Sequence, residues 1–225
     1  MDNTVLVNDG FYHIFNKSIA GFKIFNYDCE FLRVLQAIIY YQLENPPGRF
    51  ARYIEKEHKG TFQVFFNEKF SNKAKIVNIV AYCLMPTHIH LILKQLVDDG
   101  IITFVGNILN SYSHYFNIKY KRKGPLWESR FKKVLVESDS QLLHLTSYVH
   151  LNPETAYLVN KPEDWLFSSY REYAFPMPEQ ERVCKFEDVL DIKPEFYRKF
   201  VESNIDNQRN LANIKNLIVD HSVAS

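Results

Sequence analysis

The stretch "KIVNIVAYCLMPTHIHLILKQ", residues 75–95, decides how the rest of the chain is arranged. KIVNIVAYCLM, residues 75–85, is rich in β-branched residues, and HIHLILKQ follows after only Pro86-Thr87, which predicts two adjacent antiparallel strands. Side chains alternate between faces along a strand, so Ile89, Leu91 and Leu93 face a core while His88 and His90 project together from the other side. No salt partner lies beside the two histidines in sequence. Both can be satisfied core residues, or both can converge on a divalent metal, which then needs a third ligand. Imidazole with a carboxamide or carboxylate oxygen suits magnesium or manganese, whereas three histidines or cysteines would suit zinc.

The flanking sequence supplies the other elements. FYHIFNK, residues 11–17, alternates like a first strand, and residues 28–44 repeat apolar positions at helical spacing until Pro46-Pro47-Gly48. Between residues 49 and 74 a short helix is expected near Phe50 to Glu57, followed by an aromatic segment, TFQVFF. Residues 98–122 place Ile101, Phe104, Val105, Ile108, Leu109, Tyr112, Tyr115 and Phe116 on one helical stripe. A strand is expected at about 131–137, and Ser138 is a candidate N-cap for a following helix. The order βα, ββ, αβ, then α predicts an α+β ferredoxin-like sandwich, an antiparallel sheet with helices on one face. WLFSSYREY, residues 165–173, reads as a packed extension, and residues 194–219 as one or two terminal helices. The expected organisation is a main domain over residues 1–175 and a helical extension over 176–225 packed on it.

Composition narrows the class. With 225 residues and 46% hydrophobic content, the chain can bury a full core. No window reaches the roughly 18 apolar residues of a membrane span, and MDNTVLVNDG lacks the layout of a secretory signal, so a cytoplasmic location is expected. Cys29, Cys83 and Cys184 are widely spaced and fit no zinc pattern, so they read as reduced thiols. Net charge is only +1, but NIKYKRKGPLWESRFKK, residues 117–133, concentrates Lys119, Lys121, Arg122, Lys123, Arg130, Lys132 and Lys133 against the single acid Glu128. Basic groups release counterions from phosphates and interleaved aromatics such as Trp127 can stack on unpaired bases, so the run suits single-stranded nucleic acid. It also reads as a solvated turn with Trp127 and Phe131 packed inward.

In SQLLHLTSYVHLNP, residues 140–153, Leu142, Leu145 and Val149 form an apolar stripe, with Tyr148 and Asn152 four residues apart on its flank. Tyr148 can be a half-buried packing residue and Asn152 a C-terminal cap before Pro153. Alternatively, Tyr148 is a nucleophile and Asn152 a metal ligand. Spacing alone leaves both open.

Three motifs taken in order, MPTHIHLIL (85–93), GPLWESRF (124–131) and YVHLNP (148–153), resemble the REP-associated tyrosine transposases, a branch of the single-tyrosine HUH nucleases. The similarity also takes in FYHIFNKSIAGFKIF and WLFSSYREY, about residues 10–175. The resemblance implies a ferredoxin-like fold, His88, His90 and Asn152 around Mg2+ or Mn2+, and Tyr148 as nucleophile. It further implies single-stranded DNA beside palindromic hairpins as partner and a 5′-phosphotyrosine intermediate, while the sequence leaves monomer and homodimer both open. Thr87 and Ile89 are variants within the first motif, and NPETA is less basic than the usual continuation. His144, one turn before Tyr148, is either a nearby base or a surface residue. A coordinating imidazole must be neutral, so activity is expected to fall below about pH 6.5. The alternative is a non-catalytic single-stranded DNA-binding relative.

Overall fold

A computed structural model describes residues 5–54 and 62–222, with side chains described as far as residue 210. β1 (Phe11–Lys17) leads through a short turn to α1 (Asp28–Tyr41), α2 (Phe50–Ile54) and α3 (Phe62–Phe70). β2 (Val77–Met85) and β3 (His88–Gln95) form the expected hairpin, followed by α4 (Gly100–Lys119), β4 (Lys132–Val136) and α5 (Asp139–Thr155). The chain then adds α6 (Tyr170–Ala174) and the long α7 (Pro194–Ser222). Residues 55–57 of the expected short helix and Thr61 of the aromatic segment lie outside the described residues. The rest of that segment belongs to α3, where Phe62, Phe66 and Phe70 recur at helical spacing and Phe66 and Phe70 are buried.

The sheet is antiparallel, in the order β2-β3-β1-β4, which is the ferredoxin-like arrangement that the element order predicts. Its registers decide what shares a face. Lys17 lies opposite His88, Phe15 opposite His90 and His13 opposite Ile92. On the far side of β1, Phe15 faces Lys132 and His13 faces Val134. His13, Phe15, Lys17, His88, His90 and Lys132 therefore stand on one side of the sheet.

The other side carries Tyr12, Ile14, Ile89, Leu91 and Leu93, all fully buried. α4 covers it, with the Ile101 N–H donating to Gln95 Oε1, and α1 packs beside α4. Ile101, Phe104, Val105, Ile108, Leu109, Tyr112 and Phe116 are buried as the stripe predicts, while Tyr115 is half-buried. α1 starts with an intact signal: Glu30, at its third position, reaches back to accept from the Asn26 and Tyr27 N–H groups. The expectation of helices on one face holds for α1 and α4. α5 takes the opposite face, packing on β2 and β3 over the histidine side, and α7 packs against α5 and α6.

Residues 165–185 cover the free edge of β2. Leu84 N–H donates to Phe167 O, Ser169 N–H to Tyr82 O, and Lys185 N–H to Ile79 O. Satisfying this edge removes a row of unpaired backbone groups. Among the described residues, no helix is long and apolar enough to cross a membrane.

Candidate functional site

Two-residue loops set strand register tightly, and Pro86-Thr87 makes His88 the first residue of β3. The segment after β1 clamps this turn: Ser18 N–H donates to Thr87 O, while Ile24 and Phe25 N–H groups both donate to Pro86 O. His88 is thereby held at the sheet rim and His90 one pleat further in, with ring centroids 5.0 Å apart.

Each ring has one nitrogen engaged. His88 Nδ1 lies 2.9 Å from the Thr87 hydroxyl, and His90 Nδ1 lies 3.0 Å from Nε2 of His13. Neither Nε2 has a hydrogen-bond partner among the described residues. Burial pushes His88 down to about 4, aided by the Lys17 charge across the strand pair. Burial also pushes His90 well below the usual histidine range, with His13, His88 and Lys17 adding to it, and lowers His13 to about 4. All three rings are therefore neutral near pH 7, and their charging lies below the ordinary histidine value behind the pH expectation of 6.5.

Tyr148 comes from α5, whose start is set by Ser138. The Ser138 hydroxyl accepts from the Gln141 N–H, confirming the expected N-cap, and Gln141 Oε1 accepts from the Glu137 N–H. Three turns on, the Tyr148 ring stands edge-on to His90, at 5.9 Å between centroids, and to His13, at 6.2 Å. It remains 36% exposed, so a substrate can reach it, and partial burial pushes its phenol up from the usual value. His144 is exposed and lays its ring against Phe200, not against Tyr148.

Asn152 is not the helix cap allowed for in the sequence, because α5 continues through Pro153 to Thr155. Proline has no N–H to offer the Val149 carbonyl. The Asn152 Nδ2 stands in, 3.4 Å from Val149 O, and donates at 2.8 Å to Tyr148 O. Among the described residues, its Oδ1 accepts no hydrogen bond, and the side chain makes none to His88 or His90. The Tyr148 carbonyl also accepts from Gln208 Nε2 of α7 at 3.1 Å.

Among the described residues, no three His, Cys, Asp or Glu side chains group to hold a metal ion. A cation here could take the two free imidazole Nε2 atoms together with oxygen donors, the part that the family resemblance gives to the Asn152 Oδ1. That donor mixture fits magnesium or manganese better than a closed zinc site.

The basic run divides into several roles. Lys119 pairs with the buried carboxylate of Glu30 at 2.7 Å and lies over the Tyr27, Tyr115 and Tyr120 rings. Burial pushes Glu30 up, but Lys119, the Tyr120 hydroxyl and the Asn26 N–H together hold it below the usual range. Arg122 braces its own loop through Asn117 Oδ1 and Pro125 O. Trp127 corrects the stacking expectation: it is 8% exposed, and its indole N–H donates to Leu109 O, so it packs in the core and presents no open face. Lys121, Lys123, Arg130 and Lys132 are exposed and Lys133 half-buried. The loop is pinned beside the site by Glu128 N–H on Lys17 O, and by Asn16 Nδ2 on Ser129 O and Arg130 O.

Residues that the sequence pattern did not single out complete the picture. His13 and Lys17 lie on the histidine face, and the FYHIFNK alternation contained that signal once its pairing with β3 is known. Phe22 and Tyr27 are exposed and line, with Lys23, Asn26, Tyr120, Lys121 and Arg122, a cleft of about 580 Å³. A larger cleft, about 740 Å³, opens among α1, α2 and α4 and holds none of His88, His90 or Tyr148.

Comparison with known proteins places this arrangement. The family model described as "Transposase IS200 like" matches residues 39–152, a span that contains His88, His90, Tyr148 and Asn152. A putative REP-associated tyrosine transposase of Haemophilus influenzae is 28% identical over 102 residues, covering 40% of this chain. The chain matches 57% of the length of that relative. The solved structure of a REP-associated tyrosine transposase bound to a REP hairpin superposes with a TM-score of 0.55 at 15% identity, covering 86% of this chain and 95% of that one. At that identity the likeness establishes the shared fold. By the family match over half its length, this chain belongs to the IS200-like transposase family.

Proposed function

We propose that this protein is a metal-dependent enzyme that nicks and rejoins single-stranded DNA beside palindromic hairpins, with Tyr148 as its nucleophile. The observation that carries this reading is the reachable Tyr148 phenol edge-on to His90, beside two neutral histidines whose Nε2 atoms are unpartnered among the described residues. Family membership and the REP hairpin bound to the structural relative support it.

His88, His90 and Asn152 would hold the divalent ion, which when bound polarises a non-bridging phosphate oxygen and stabilises charge in an in-line displacement. Lys17 and Lys132, on the same face, meet the flanking phosphates. The Tyr148 oxygen attacks phosphorus, the bond from phosphorus to the 3′ oxygen breaks, and the phenolic proton is released while the leaving oxygen gains one. The products are a 5′-phosphotyrosine link and a free 3′-OH, so the phosphoester is retained for rejoining without ATP. Burial raises the phenol above its ordinary value, so attack requires the Tyr148 oxygen to give up its proton. Exposed Phe22, Tyr27 and Tyr120, interleaved with Lys23 and Lys121, offer the base-stacking faces that Trp127 does not.

The test incubates hairpin-flanked single-stranded oligonucleotides with the full chain and Mg2+ or Mn2+, then seeks a protein–DNA adduct on a denaturing gel. An adduct that forms with the parent and is lost in Tyr148→Phe supports the proposal. An adduct that survives Tyr148→Phe removes the nucleophile assignment, and binding without adduct under either metal supports a non-catalytic DNA-binding relative.

A further inference from the structure

We infer that His13 is a positioning residue that selects the metal-binding tautomer of His90, an inference that rests on the metal reading above. His13 comes from β1, 77 residues before His90, and the strand register makes them diagonal neighbours on one face. Their rings stack at 5.2 Å with planes 17° apart, and the 3.0 Å approach joins His13 Nε2 to His90 Nδ1.

A single proton lies between those nitrogens, and its owner decides what the other side of His90 can do. If His13 Nε2 carries it, neutral His90 has its own proton on Nε2, and that nitrogen has no lone pair for a cation. If His90 Nδ1 carries it and His13 accepts, His90 Nε2 presents a lone pair toward the site. Metal-bound histidines commonly donate their second N–H to such an acceptor, which orients the ring and raises its basicity. His88 has the parallel arrangement, with Thr87 Oγ1 at its Nδ1. His13 is 8% exposed and its Nε2 is turned into His90, so it supports the site without itself facing substrate.

Mn2+ affinity of the full chain, read by electron paramagnetic resonance of the free ion without DNA, tests this. His13→Leu should weaken Mn2+ binding by about 10–100-fold, the usual effect of removing such a support. His13→Gln, whose amide oxygen can accept from His90 Nδ1, should restore binding close to the parent. Thermal melts of the variants verify the fold, and His88→Ala reports on the metal reading by itself. If His88→Ala abolishes binding while His13→Leu leaves it at the parent value, the tautomer role is overturned and the metal site stands. Equal weakening in His13→Gln and His13→Leu also overturns it, because the hydrogen-bond acceptor would then be irrelevant. A parent that binds no Mn2+, or binds it unchanged in His88→Ala, overturns both.

Discussion

The Tyr148 ring meets the His90 ring edge-on, with planes at 88° and centroids 5.9 Å apart, so α5 presents its tyrosine to the histidine strand while the residue stays 36% exposed. Among the described residues, none hydrogen-bonds to Tyr148 Oη. Tyr148→Phe should therefore change folding stability by no more than about 0.5 kcal/mol, as for an exposed substitution away from special features. Affinity for hairpin DNA should be kept while covalent adduct falls to background. Chemical denaturation, a binding isotherm and the adduct gel check the three outcomes separately.

Lys119 and its neighbours in the basic run should behave differently. Lys119→Met leaves the buried Glu30 carboxylate without its cation and should cost about 2–3 kcal/mol of stability, the scale of a charged hydrogen bond. Its effect on the salt dependence of DNA binding should be small. Neutralising Lys121, Lys123 and Arg130 should do the opposite, leaving stability near the parent and lowering the salt slope by about 1 for each phosphate left without its cation. Binding titrations at several salt concentrations, paired with urea unfolding, distinguish the two kinds of lysine.

Glu172 predicts a pH dependence of stability. The residue is buried, and burial raises its carboxyl to about 7, although the Cys184 and Val183 N–H groups on its Oε2 oppose that rise. The folded state thus holds this proton more tightly than the unfolded chain, whose glutamate titrates near 4.3. Its contribution is complete below about pH 4.3 and is lost as pH rises through about 7, amounting to roughly 4 kcal/mol. Glu172→Gln should remove that decline. Thermal melts at pH 5 and pH 8 should show the parent losing more Tm than the variant; equal losses would contradict the assignment.

Gly100 opens α4 with no room for a side chain. A Cβ there would strike the Ile76 carbonyl oxygen, which is backbone and cannot rotate away. Gly100→Ala should destabilise by about 1–3 kcal/mol, the range for overpacking. Gly106→Ala, on the same helix with open space around it, should be neutral or stabilising. Comparing the two by urea unfolding separates packing at Gly100 from helix propensity.

The β2–β3 hairpin was legible because β-branched composition, alternation and a two-residue break agree over residues 75–95. The α4 stripe was legible for the same reason, with local period and burial coinciding. The aromatic segment beginning at Thr61 was not settled by its composition. Its helical character shows only when Phe62, Phe66 and Phe70 are read together, past the end of TFQVFF. Trp127 illustrates the opposite difficulty: an aromatic among cations resembles a stacking platform, and only tertiary packing reveals its ring in the core. The closeness of Tyr148 to His90 follows from the course of α5 over the sheet, which no local spacing encodes. His13 was hidden for a related reason, since its partner is chosen by strand pairing across 77 residues.

That strand pairing links folding fidelity to the integrity of the proposed site. A slip of one residue between β1 and β3 would turn His13, Phe15 and Lys17 toward the layer beneath α4 and drive a lysine among Ile89, Leu91 and Leu93. Such a chain would be destabilised and would lose His13, Phe15 and Lys17 from the histidine face at once. The error that spoils the register would thus also take His13 from beside His90 and Lys17 from beside His88, leaving the proposed site without its support from β1.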